Sequence, residues 1–211
     1  MKIVKQSVEL IWATSNPLQI IEQIGRTCYK SEDRITQDSA KDFVAMLISR
    51  GHEAMLEHVS ASFRIITDRG ISHELVRHRI ASFAQESTRF CSYAKDKFNS
   101  EITVIEPDFS GAKNDYEQPE EVTRTIWREA VSEAESAYLK LIRNNISPQF
   151  ARSVLPNCLK TEINMTANAR EWRHFLKLRL APAAHPQIRE ISAMIKEKLT
   201  YWADVLFDDI K

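Results

Sequence analysis

The chain has 211 residues, 43% of them hydrophobic, and its 29 Lys and Arg balance 29 Asp and Glu. This length and apolar content support one compact domain, or one domain with a small subdomain, and the 4 glycines and 7 prolines exclude long low-complexity segments. Zero net charge argues against a general nucleic-acid binder, so an anion site must come from local clustering.

The N-terminal stretch MKIVKQSVELIWATSNP lacks a long apolar core; residues 2–12 read as extended and not as a signal peptide. Asn16-Pro17 then resembles a helix cap with proline in the first turn, and Ile20, Ile21 and Ile24 give that helix an apolar face. A second helix follows Asp38 and ends at Gly51, with Phe43, Met46 and Leu47 at helical spacing. Val59, Ala61, Phe63 and Ile65 alternate as a half-buried strand closed by Asp68-Arg69-Gly70. A short helix holds Ile71, Leu75 and Val76 and runs into Arg77-His78-Arg79. Residues 82–97 are polar and irregular and read as a loop.

A short strand over 102–105 precedes a surface loop over 107–118. From Pro119 to Asn145 the pattern is strongly helical, through Val122, Ile126, Ala130, Ala134, Ala137, Tyr138 and Leu141. Ser147-Pro148 opens a short helix, and Leu159, Thr161, Ile163 and Met165 alternate as a strand. A helix from Asn168 carries Trp172, Phe175 and Leu176. The last follows His185-Pro186, with Ile188, Ile191, Ile195, Leu199 and Trp202 facing inward.

About six helices and four strands interleave irregularly, without a GxGxxG loop, which argues against a Rossmann domain. The fold class expected is α+β: a small mixed or antiparallel sheet packed with these helices in a single domain spanning 1–211. No run approaches the roughly 20 apolar residues of a membrane span. Cys28, Cys91 and Cys158 are too widely spaced for a metal knuckle or a redox pair, and no metal site is expected. They read as small, buried or semi-buried reduced thiols of a cytoplasmic protein.

Arg77, His78, Arg79 and Arg89 fall within thirteen residues, with Ser82, Ser87 and Thr88 among them. Guanidinium forks, hydroxyls and exposed backbone N–H groups suit phosphate oxygens. The bland alternative is a solvated helix end with surface ion pairs; a DNA recognition helix is a second, weakened by the neutral charge and the missing helix-turn-helix pattern.

The order of the residues narrows this choice. Arg77-His78-Arg79, seven residues, Ser87, and Arg89 two further on resemble the signature of the flavin-dependent thymidylate synthases, across the fourteen residues RHRIASFAQESTRF. Further segments resemble that family in order: RTCYK at 26–30, Gly51-His52-Glu53 with Glu57-His58, Arg152 with Leu155-Pro156, Asn168-Ala169-Arg170 with His174 and Leu178-Arg179, and His185-Pro186 with Ile188-Arg189. Ala84 replaces a common asparagine, and Ala54 lacks a hydroxyl found in many relatives.

The resemblance implies an enzyme that makes dTMP from dUMP, with methylenetetrahydrofolate supplying the carbon and NADPH-reduced FAD the hydride. It implies flavin contacts from His52, Arg77, His78, Arg79, Gln85, Asn168, Ala169, Arg170 and His174. It implies dUMP contacts from Glu74, Arg77, Gln85, Glu86, Ser87, Thr88, Arg89, Arg152 and Arg179, with Ser87 and Arg89 at the phosphate. Arg179 is the catalytic residue it implies: a permanent cation facing the uracil, stabilising charge at N3 and O4 and making C5 more nucleophilic. A homotetramer with sites shared between subunits is implied as well. Ser87 lacks an evident base in sequence and reads as a phosphate donor ahead of a nucleophile. A nonenzymatic nucleotide- or nucleic-acid-binding protein could use the same arginines, but would not need the second motif at 168–179.

Overall fold

The computed structural model describes residues 1–95, 98–109 and 120–211. Six strands and seven α-helices occur among them: β1 (Lys2–Val4), β2 (Ser7–Ala13), α1 (Pro17–Thr27), α2 (Ser39–Ser49), β3 (Ser60–Asp68), α3 (Arg69–Leu75), β4 (Ala81–Gln85), β5 (Thr103–Ile105), α4 (Glu120–Arg143), α5 (Pro148–Ala151), β6 (Lys160–Asn168), α6 (Ala169–Arg179) and α7 (Pro186–Ala203). A four-stranded antiparallel sheet has the order β2-β3-β6-β4. A separate parallel pair joins β1 to β5, with Ile3 opposite Val104. The α+β class expected from the sequence is what forms, and the initial extended stretch divides between the two sheets.

The chain forms two compact units, neither continuous in sequence. The first comprises Met1–Gln6, Ile66–Leu75 and Gln85–Ile163; the second comprises Ser7–Ile65, Val76–Ala84 and Asn164–Lys211. The first has a core of Tyr93, Ile102, Val104, Val131, Tyr138, Ala151 and Leu159. On α4, Val131 and Tyr138 are buried while Val122 and Ile126 are 43% and 63% exposed, so the apolar pattern ran beyond the buried face. In the second unit α1 packs on α2, and α7 packs on α6 and β2. Phe63, Trp172 and Phe175 meet edge to face, at 5.1 and 5.5 Å between ring centroids, and the indole N–H donates to the Ala61 carbonyl at 3.1 Å.

Two abrupt strand-to-helix junctions place most of the motif residues. At the end of β3, Asp68 Oδ1 accepts from the Ile71 N–H at 2.7 Å, and α3 starts at once. At the end of β6, Asn168 Oδ1 accepts from the Glu171 N–H at 2.9 Å, and α6 starts at once. Each side chain satisfies a donor that the first helical turn leaves unpaired. Gly51 does the corresponding work after α2. Its φ of +71° is left-handed, which glycine adopts without a Cβ penalty. The His52 N–H then bonds to the Leu47 carbonyl at 2.9 Å and that of Gly51 to Ile48 at 3.0 Å, a Schellman closure that delivers His52 into the next turn.

Several expectations need correction. Residues 81–85 form β4 in place of the start of a loop, because alternating half-buried side chains suit the sheet edge. Val76 is exposed and lies beyond the end of α3. Asn16 occupies a left-handed conformation (φ 52°) and makes no side-chain cap bond, although Pro17 does sit in the first turn of α1. Cys28 is exposed; Cys91 and Cys158 are partly buried, and all three thiols are free. The surface loop expected over 107–118 lies mostly outside the described residues.

Candidate active site

The motif residues divide between the two units. On the second, the Arg77-His78-Arg79 triplet follows α3 with its arginines exposed and His78 buried between them. The His78 ring packs edge-on to Phe175 at 4.9 Å and to His174 at 5.7 Å. Its Nδ1 is 3.0 Å from Glu171 Oε1, and the Arg179 Nε–H donates to its Nε2 at 3.1 Å. A guanidinium has no acceptor, so Nε2 must carry the lone pair and Nδ1 the proton. His78 is thus a neutral ring donating to Glu171 and accepting from Arg179. Burial lowers its pKa most, the positive charge of Arg179 lowers it further, and the Glu171 hydrogen bond opposes both.

His174 lies one turn after Arg170 on α6, as the spacing requires. A cavity of about 460 Å³ opens beside them, lined by Glu53, Glu57, Ile80, Asn168, Arg170, Glu171, His174 and Lys177. Arg170 is paired there with Glu57 at 2.5 Å and with Glu53 at 3.9 Å. Ala169 is buried, with its N–H held by the Val59 carbonyl at 2.9 Å, and Asn168 spends its side-chain oxygen on the helix cap. His52 is exposed at the start of the turn preceding β3.

The cavity mixes exposed apolar surface at Ile80 with Arg170, Lys177 and His174 and with the carboxylates of Glu53, Glu57 and Glu171, and Arg77 and Arg79 stand exposed beside Ile80 in sequence. That donor set fits a flat ring bearing phosphates, provided an incoming anion exchanges with Glu57 at Arg170. Coordinating atoms of His78, Glu171 and His174 lie within 4.8 Å of one another. Both His78 nitrogens are already engaged, one by Glu171 and one by the Arg179 guanidinium, whose charge repels a cation; the bonded set is the chain Glu171–His78–Arg179.

On the first unit, Glu74 lies in the last turn of α3 and Gln85 ends β4. The Gln85 Nε2 protons go to Ser72 Oγ at 2.9 Å and Thr161 Oγ1 at 3.1 Å, so its amide donors are already spent within the protein. Glu86 accepts from Lys160 Nζ at 3.0 Å and from the Tyr93 hydroxyl at 3.2 Å. Burial and the Glu86 carboxylate raise the Tyr93 pKa, so that phenol stays a donor.

A tight turn follows. The Ser87 hydroxyl accepts from the Arg89 N–H at 3.3 Å and its carbonyl from the Cys91 N–H at 2.9 Å. Thr88 is buried, and its hydroxyl receives Arg152 Nη1 at 3.4 Å. The guanidinium of Arg89 is exposed, 5.2 Å over the Phe90 ring. Among the described residues no imidazole or carboxylate is bonded to Ser87 Oγ, so the hydroxyl has no base in place to activate it. Cys158 is no better as a nucleophile, because burial pushes its thiol up to about 11.

Glu53, Glu57, Glu171 and Lys177 received no role from the sequence. Glu53 and Glu57 lie in a family-like segment without an assigned role, and Glu171 stands three residues after a capping Asn168 as in a capping box; its carboxylate goes to His78 and not back to the cap.

A family model described as thymidylate synthase complementing protein matches residues 9–204. A flavin-dependent thymidylate synthase from Pyrococcus furiosus is 33% identical over 205 residues, covering 94% of this chain and 80% of its own. Another from Geobacter sulfurreducens is 31% identical, covering 96% and 85%. Among solved structures, a UMP/dUMP methylase, PolB, from Streptomyces cacaoi bound with 5-Br dUMP superposes with a TM-score of 0.81 at 24% identity, covering 99% of this chain and 96% of that one. At that identity the likeness shows a common fold.

Proposed function

The chain belongs to the thymidylate synthase complementing protein family, the flavin-dependent thymidylate synthases, and from that premise we propose that it converts dUMP to dTMP by reductive methylation. Methylenetetrahydrofolate donates the carbon, and NADPH is the source of reducing equivalents. Residues 1–211 act as one functional domain, in a cytoplasmic homotetramer whose active sites draw on more than one subunit, with no nucleic-acid or membrane partner. Among the described residues no helix is long and apolar enough to cross a membrane.

FAD, when bound, supplies the hydride that completes the methyl group. His52, Arg77, His78, Arg79, Gln85, Asn168, Ala169, Arg170 and His174 would hold it, the guanidinium groups supplying donors for its phosphates. The turn from Gln85 to Arg89 receives dUMP, its phosphate on Ser87, Thr88 and Arg89, with Glu74 and Arg152 as further contacts. Arg179 sets its positive charge against the uracil and stabilises negative charge at N3 and O4, which makes C5 more nucleophilic.

The observation that carries this reading is the Arg179–His78 hydrogen bond, which ties the two most specific motifs of the sequence together. The test is dTMP formation from dUMP, methylenetetrahydrofolate, NADPH and FAD, omitting each in turn. Loss of product on every omission is expected. A purified chain that neither binds FAD nor forms dTMP would overturn the assignment.

A further inference from the structure

The geometry points to Glu171 as a positioning residue for Arg179: its carboxylate fixes the tautomer of His78, and the lone pair so exposed on His78 Nε2 orients the guanidinium through its Nε–H. This inference rests on the activity proposed above.

Glu171 and His78 are both buried, and the ring is braced by Phe175, so neither group has room to rearrange freely. The Glu171 side chain is launched from the first turn of α6, where Asn168 pins its own N–H at 2.9 Å. The Nδ1 to Oε1 distance of 3.0 Å and the Nε to Nε2 distance of 3.1 Å make one continuous chain.

The polarity of that chain runs one way only. Arg179 Nε–H can donate but not accept, so the opposite tautomer would set two N–H groups against each other. A carboxylate at Nδ1 removes that tautomer, because it accepts and never donates when ionised. The charged groups around His78 are Glu171, Arg179 and His174 from α6, with Arg77 and Arg79 flanking it in sequence.

A guanidinium that must face a developing charge gains little from being present unless its direction is held; a misplacement on the order of 1 Å costs about a hundredfold in rate. The carboxylate of Glu171 is bonded to the far nitrogen of the ring, Nδ1, and not to the Nε2 that meets Arg179. It acts through His78, and its loss should fall on turnover and on the ring's protonation pattern.

The test uses the full chain, with ¹⁵N-histidine spectra assigned through a His78→Gln variant, beside steady-state kinetics. In the wild type, His78 is expected as the neutral Nδ1–H tautomer at neutral pH. Glu171→Met keeps the volume but removes the acceptor; it should lose that tautomer and lower kcat about tenfold or more, with the KM for dUMP changed much less. Glu171→Gln, which keeps an acceptor oxygen, should recover most of the lost turnover. An Nε2–H tautomer or an imidazolium in the wild type overturns the proposal, as does an unchanged kcat in Glu171→Met. A wild-type chain that forms no dTMP overturns the proposed activity instead. The spectra still decide the hydrogen-bond chain in that case, and the wild-type spectrum and Glu171→Gln decide it if Glu171→Met does not fold.

Discussion

The guanidinium of Arg179 donates through Nε to Nε2 of His78 at 3.1 Å, across 101 residues of sequence. Two motifs that look like separate anion-binding elements are therefore one bonded assembly in the second unit. The bond is made through Nε, the guanidinium nitrogen nearest the side-chain stem.

Arg179→Ala should retain FAD and lose dTMP formation, by about a hundred- to a thousandfold in kcat, the usual cost of removing one preorganised electrostatic group. Flavin absorbance after gel filtration and chromatographic detection of dTMP measure the two effects. Normal turnover in this variant would remove Arg179 from the chemistry.

Ser87→Ala should raise the KM for dUMP about tenfold while leaving most of kcat, because in the proposed site it deletes one donor to the dUMP phosphate. Its Oγ already accepts from the Arg89 N–H, so part of the effect comes through loosening of the turn. Abolished turnover at saturating dUMP, with dUMP binding intact, would restore serine as a nucleophile.

Burial holds His78 below the ordinary histidine pKa of 6.5. The unfolded chain therefore takes up this proton at a higher pH than the folded one, and stability falls as pH drops below that ordinary value toward the folded pKa. Above it nothing is lost. Urea midpoints should decline as pH falls below about 6.5, and decline less in His78→Gln. Parallel declines in the two proteins would place the titration elsewhere.

Arg173 is 1% exposed and is held by Asp209 through two bonds of 2.7 Å, by the Leu206 carbonyl and by Glu53 at 3.4 Å. Asp209→Ala should cost about 1–2 kcal/mol in urea unfolding, kept modest by the half-exposed carboxylate and by the partners that remain. The Arg173 hydrogen bond holds the Asp209 carboxyl below its ordinary 3.8, so this contribution is present above 3.8 and lost as pH falls through the folded value. A variant as stable as the wild type at neutral pH would show that the clamp on Arg173 does not need Asp209.

Elements with strong periodicity or punctuation were legible before any coordinates. Gly51 announced the end of α2, Pro17 the start of α1, and the alternation around Phe63 and Ile163 the two long strands. Residues 81–85 were not legible, since Ser82 and Ala84 carry no strand signature and pair only because the sheet has an open edge. Gln85 was assigned to ligands by motif alone, yet its amide protons serve Ser72 and Thr161.

By itself the sequence determined the family resemblance, the α+β class and the residue types able to hold phosphates, because these depend on order and on local periodicity. Only the tertiary structure decided what those side chains are bonded to. It distributed the motif residues over two units, paired Arg170 with Glu57, and joined Glu171, His78 and Arg179 in a single directional chain. Hydrogen bonds between residues about a hundred positions apart leave no periodic trace in a sequence; they exist because the end of β6 launches α6 where the triplet after α3 can meet it.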